Sequence, residues 1–120
     1  MLHRIAIAAA LLLLAAPAGA QQAFTPSGPT VTLAVTATTG RILTQPTTAP
    51  GGPSLRLFNS GSATVFIACG DVTVNATTAT GMPIAAGTVE IVRCPNEAYY
   101  VAGITSTGTA TLYLTPGTGL

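Results

Sequence analysis

From Thr30 to Thr38 apolar and polar side chains alternate one by one. Val31, Leu33, Val35 and Ala37 take one face and Thr32, Thr36 and Thr38 the other, with Ala34 breaking the polar side. Successive side chains leave opposite sides of a pleated strand, so a period of two predicts a half-buried β-strand. Arg41–Leu43 continue after a turn at Gly40. The stretch 44–53 carries Pro46, Pro50, Gly51, Gly52 and Pro53 and is excluded from a sheet interior. Ser54–Phe58 and Ala63–Cys69 come next, and the polar link Asn59-Ser60-Gly61-Ser62 reads as the turn of a hairpin between them. Gly70-Asp71 turns into a short strand at Val72–Val74. Thr88–Cys94 is reversed by Pro95-Asn96-Glu97 into Ala98–Ile104. Ser106-Thr107-Gly108 then links Ala98–Ile104 to Thr109–Thr115, the clearest hairpin pattern, with Ala110, Leu112 and Leu114 on one side and Thr109, Thr111, Tyr113 and Thr115 on the other. Short strands at this spacing, with no helical period after residue 20, predict an all-β fold. The expected form is a small antiparallel β-sandwich, jelly-roll or Ig-like, with a small barrel as the alternative.

The front of the chain follows a different pattern. Positive charge at His3 and Arg4, an apolar run over Ile5–Ala16 and the small residues Ala18-Gly19-Ala20 have the layout of a secretory signal peptide. The alternative is a retained anchor or packing helix. The division is then 1–20 signal peptide, 21–29 extended N-terminal arm and 30–120 β-sandwich domain. Cleavage after Ala20 predicts an exported protein, periplasmic or extracellular. The apolar run is shorter than the roughly 20 residues a spanning helix needs, so no stable membrane insertion is expected once the leader is gone.

Composition sharpens the picture. All 21 Thr residues lie after Gln22, Lys and Trp are absent, and the only His is His3. Beyond the leader the ionisable groups are Arg41, Arg56 and Arg93 against Asp71, Glu90 and Glu97, a net charge of 3 − 3 = 0. A chain with no basic patch is not built for nucleic acid. Without His or Lys there is no Ser–His or Cys–His pair, no His-based zinc site and no Schiff-base chemistry, so no catalytic, metal or cofactor-binding residue is assigned. Glu90 and Glu97, on either side of the Pro95-Asn96 turn, are the one carboxylate pair able to resemble a glycosidase acid and nucleophile; solvating a hairpin end is the simpler reading. Asp71 with Asn75 offers oxygen ligands for calcium, yet Asp71 after Gly70 reads better as a turn residue. Asn75-Ala76-Thr77 fits a glycosylation acceptor, a triplet that chance supplies easily in a Thr-rich chain.

Cys69 and Cys94 in an exported chain predict a disulfide, with two buried free thiols as the alternative. Cys94 shares its strand face with Val92 and also with Glu90, so a core disulfide calls for a bulge or a strand used on both sides. Tyr99, Tyr100 and Tyr113 are the candidates for an exposed contact face, because adjacent Tyr99 and Tyr100 point to opposite sides and Tyr113 falls on the Thr-rich side of its strand. Low net charge leaves little repulsion between copies and favours association. The Pro-rich loop and the arm at 21–30 are extended segments suited to reaching a neighbour.

The runs Leu55-Arg56-Leu57-Phe58-Asn59-Ser60-Gly61-Ser62-Ala63-Thr64-Val65-Phe66-Ile67, Gly81-Met82-Pro83-Ile84-Ala85-Ala86-Gly87-Thr88-Val89-Glu90, and Gly103-Ile104-Thr105 followed by Thr109-Ala110-Thr111-Leu112-Tyr113-Leu114-Thr115-Pro116-Gly117 resemble small β-rich virion proteins of tailed bacteriophages. The resemblance covers about the last two-thirds of the chain as a pattern of strands and turns. It implies a non-enzymatic role as a capsid decoration or other virion surface component, homo-oligomeric or bound to capsid proteins. That virion role is the preferred expectation, and the leader and the cysteines make an exported periplasmic or cell-surface adhesion or binding module the alternative.

Overall fold

The computed structural model describes residues 23–44, 54–95 and 97–119. The expected leader and most of the proline-rich loop lie outside these residues. The described chain forms nine strands: β1 (Thr25–Pro26), β2 (Val31–Val35), β3 (Gly40–Leu43), β4 (Ser54–Asn59), β5 (Val65–Gly70), β6 (Met82–Ile84), β7 (Val89–Arg93), β8 (Tyr100–Thr105) and β9 (Ala110–Thr118). Among the described residues no helix is long and apolar enough to cross a membrane.

The strands pair antiparallel in two sheets. The front sheet runs β2-β9-β4-β7, with β1 continuing the β2 edge along the far end of β9. The back sheet runs β3-β8-β5-β6. From β2 onward the chain changes sheet at every connection except β5 to β6. This interleaving is the eight-stranded jelly-roll order, which resolves the choice left open by the sequence.

Three expected hairpins are therefore corrected. β4 pairs with β7 and β9, while β5 pairs with β6 and β8, so Asn59–Ser62 carries the chain across the sandwich. Ser106–Gly108 likewise crosses from β8 in the back sheet to β9 in the front sheet, and the Pro95–Glu97 turn crosses from β7 to β8. A short polar link suits either a hairpin or a crossing, and alternation along one strand reports its buried face without naming its neighbour. The extended arm is also more tightly held than expected. Thr25–Pro26 pair with Gly117–Thr118, and the Ser27 amide donates to Pro116 O at 2.9 Å.

Alternation does place the core. Leu33 and Val35 from β2, Leu55 and Leu57 from β4, and Leu112 and Leu114 from β9 face Val65, Ile67, Ile84 and Val101 of the back sheet, nearly all below 5% exposed. Each such side chain contributes about 1.5–3 kcal/mol by leaving water. Cys69 and Cys94 are bonded, tying β5 of the back sheet to the end of β7 in the front sheet with Cα atoms 5.7 Å apart. The anticipated bulge is absent. β7 pairs with β4 without interruption from Ser54↔Arg93 to Phe58↔Val89, which puts Val92 and Cys94 on the inner face. Glu90 shares that face opposite Leu57, but β7 is an edge strand, so its carboxylate reaches solvent.

The two outer faces differ. Val72–Val74, expected as a strand, is a turn within the β5–β6 connection, and this connection lies across the back sheet. Arg41 Nη1 donates to Val72 O at 2.7 Å and to Val74 O at 3.3 Å, and the Ala76 amide donates to Thr39 Oγ1 at 3.0 Å. Val74 sits directly over Gly70, where an added Cβ would meet its side chain at 2.7 Å. Ala76 is only 2% exposed, and Ala102 is fully buried although its position in β8 faces away from the core. Among the described residues no such loop lies over β9, β4 and β7 of the front sheet, and Phe24 covers its far end, where a Cβ on Gly117 would meet the Phe24 ring.

Candidate functional site

Outward positions on the front sheet follow from register. Thr32, Tyr113, Phe58 and Val89 lie side by side across β2, β9, β4 and β7, and the next row holds Thr115, Arg56 and Ile91. Those on β2, β9 and β4 are flanked along their own strands by inward-facing residues. Leu57 points inward between Arg56 and Phe58, and Leu112 and Leu114 do so around Tyr113, so burying the core fixes what the open face displays.

Tyr113 and Val89 remain 39% and 41% exposed. The Phe58 and Tyr113 rings stack across the strand pair, with centroids 6.1 Å apart and planes inclined by 24°. Beside it a shallow open depression of about 380 Å³ is lined by Thr30, Arg56, Phe58, Ser60, Tyr113 and Thr115. The Thr30 and Thr115 hydroxyls hydrogen-bond at 2.7 Å, and Ser60 Oγ donates to Thr111 O at 3.2 Å, fixing the rim. The face is also one-signed. Its outward positions include Arg56 and Arg93, both exposed, and no Asp or Glu.

Of the tyrosines expected to form a contact face, only Tyr113 is here. Tyr100 opens β8 in the back sheet, in register with Leu43 and Gly70, and is half-buried. Tyr99 just precedes it, its carbonyl accepting from the Thr44 amide at 2.7 Å and the Thr44 hydroxyl at 2.9 Å. With β8 and β9 in different sheets, the three tyrosines do not share one surface. Phe58, Arg56 and Thr30 were missed because nothing local reveals that β4 lies beside β9.

The carboxylates are dispersed. Glu90 stands about 13 Å up β7 from Cys94, at ~3.3 Å per residue, and the chain then leaves for the other sheet instead of returning alongside as a hairpin. Glu97 occupies the turn with φ 67°, a left-handed conformation. Asp71 accepts from the Thr73 amide at 2.8 Å and from the Thr73 hydroxyl, and these bonds hold its carboxyl below the usual range. It is a turn residue, as the sequence suggested. Among the described residues no group of three or more His, Cys, Asp or Glu side chains is placed to hold a metal ion. Asn75 is exposed, and the adjoining Ala76 is buried.

No protein-family model, curated protein or solved structure matches this chain.

Proposed function

We propose that this protein is an exported, non-catalytic adhesion module whose working surface is the open face of the front sheet. The observation that carries this reading is the transverse row Thr32, Tyr113, Phe58 and Val89, over which none of the described loops lies, while the β5–β6 connection lies across part of the opposite sheet. Exposed aromatic and aliphatic groups in a contiguous patch favour contact with a partner, and Tyr and Arg are residue types enriched at such contacts. The Cys69–Cys94 bond suits an oxidising compartment. The scarcity of ionisable side chains fits a protein that works by surface complementarity.

The test is binding of labelled protein to cell envelopes of the producing strain. Tyr113→Ala should reduce binding at least tenfold without moving the unfolding midpoint, whereas Leu43→Ala, exposed on the back sheet, should leave it unchanged. Equal binding by the two variants would refute the assignment of the face.

A second reading is a virion decoration protein. It is favoured by the jelly-roll strand order, an architecture used by viral capsid domains, together with the sequence resemblance noted above. Under that reading the same face seats on a capsid lattice, and co-sedimentation with purified particles separates the two.

A further inference from the structure

We infer that the open face of the front sheet is a binding site for an acidic polysaccharide, a chain of uronate-type sugar rings. This rests on the adhesion reading and names the ligand class of the same surface. Three observations converge. Tyr113 offers an exposed aromatic platform, backed by the half-buried Phe58 ring stacked against it, and the C–H face of a pyranose ring packs on such a ring through apolar contact. The adjoining depression of about 380 Å³ has room for one sugar unit and is rimmed by the Thr30, Ser60 and Thr115 hydroxyls, whose oxygens keep lone pairs to accept from sugar hydroxyls beyond the bonds that fix the rim. Arg56 lines that depression, and Arg93 sits one diagonal step away across the β4–β7 pair, about 7–8 Å between backbones. A guanidinium grips a carboxylate with two parallel N–H bonds, so two of them along one face suit a ligand bearing repeated carboxylates.

The charge distribution discriminates among occupants. Beyond residue 20 the chain carries three Arg and three acids, yet two of those Arg and none of those acids occupy this face. A second copy placed face to face would set Arg56 and Arg93 against their own counterparts with no acid to answer them. A neutral glycan would use the platform and leave both guanidinium groups unemployed. An acidic glycan uses every group on the face.

The full chain, expressed for export so that the disulfide forms, should bind oligogalacturonate in calorimetry or surface plasmon resonance. Binding should fall at least tenfold with the carboxyl-reduced neutral oligomer, and at least tenfold for Arg56→Gln or Tyr113→Ala. Polyglutamate, a polyanion without sugar rings, should bind weakly and be insensitive to Tyr113→Ala. Equal affinity for the neutral oligomer, unchanged binding by Arg56→Gln, or absence of oligogalacturonate binding would each overturn the inference. If Tyr113→Ala abolishes envelope binding while oligogalacturonate is not bound, the adhesive face stands and the glycan assignment falls. If neither envelope nor oligogalacturonate binding depends on Tyr113, both fall.

Discussion

The side-chain nitrogen of Asn59 donates to the carbonyl oxygen of Ile84 across 3.0 Å. The same nitrogen donates to Ala63 O at 2.9 Å, and the side-chain oxygen accepts from the Gly61 amide at 3.0 Å. Asn59 is completely buried, and every bond of its amide goes to backbone, so one side chain joins the end of β4, the crossing loop and the end of β6. Asn59→Ala leaves two buried carbonyls and an amide without partners and should destabilise the protein by about 2–4 kcal/mol. Asn59→Asp should be worse, because a carboxylate can only accept and would face two carbonyl oxygens. Urea unfolding followed by circular dichroism measures both.

The next residue but one is equally constrained. A Cβ on Gly61 would lie 2.5 Å from the Cβ of Ala110, so the crossing passes too close to the start of β9 for any side chain. Gly61→Ala should lower stability by about 1–3 kcal/mol, and Ala110→Gly should not restore it, because the new Cβ would also lie 2.6 Å from the Ala110 Cα. Parent-like stability of Gly61→Ala in urea unfolding would contradict the close approach.

Breaking the inter-sheet bond should cost about 3 kcal/mol by freeing the 25-residue separation between Cys69 and Cys94 in the unfolded chain. Melting with and without reductant measures this, and Cys69→Ala/Cys94→Ala should melt close to the reduced protein. No shift on reduction would show that the bond does not constrain the fold.

Arg41→Ala should loosen the loop over the back sheet, since its guanidinium holds the carbonyls of Val72 and Val74. Loss of these charge-assisted bonds is expected to cost about 1–2 kcal/mol. Hydrogen exchange should quicken first at Ala76, whose amide bonds to Thr39. Exchange that stays uniform across the domain would argue against a separately anchored loop.

Acid should weaken the same loop through Asp71. Its folded carboxyl is held low by the Thr73 hydroxyl and amide, so its stabilisation is complete above the ordinary carboxylate value and is lost as pH falls through the lower folded value. Asp71→Ala should therefore be less stable than the parent near neutrality, and the gap should close as pH falls below the ordinary Asp value of ~3.9. A gap that widens on acidification would reverse the assignment.

Much of the sandwich was legible in the alternation. The inward set of β2, Val31, Leu33 and Val35, and that of β9, Ala110, Leu112 and Leu114, follow directly from a period of two, and the bonded cysteines follow from the expectation of export for a chain holding a single pair. Partner choice was not legible. Asn59-Ser60-Gly61-Ser62 has hairpin composition, yet Asn59 is a fully buried bracket for a crossing. The deciding contacts, Ile84 and Ala110, are distant in sequence. The candidate face was half legible for the same reason. Tyr113 stood out by its position on a Thr-rich side, whereas Phe58 and Arg56 join it only once β4 is known to lie beside β9.

The loop that roofs the back sheet sets a direction for the whole molecule. Whatever the front sheet grips, the segment around Thr78 and Ala79, exposed in a turn of that roof, points toward the opposite side. A peptide tag spliced there would be held out from any surface the protein coats, so an attached layer of this chain could serve as an oriented display scaffold.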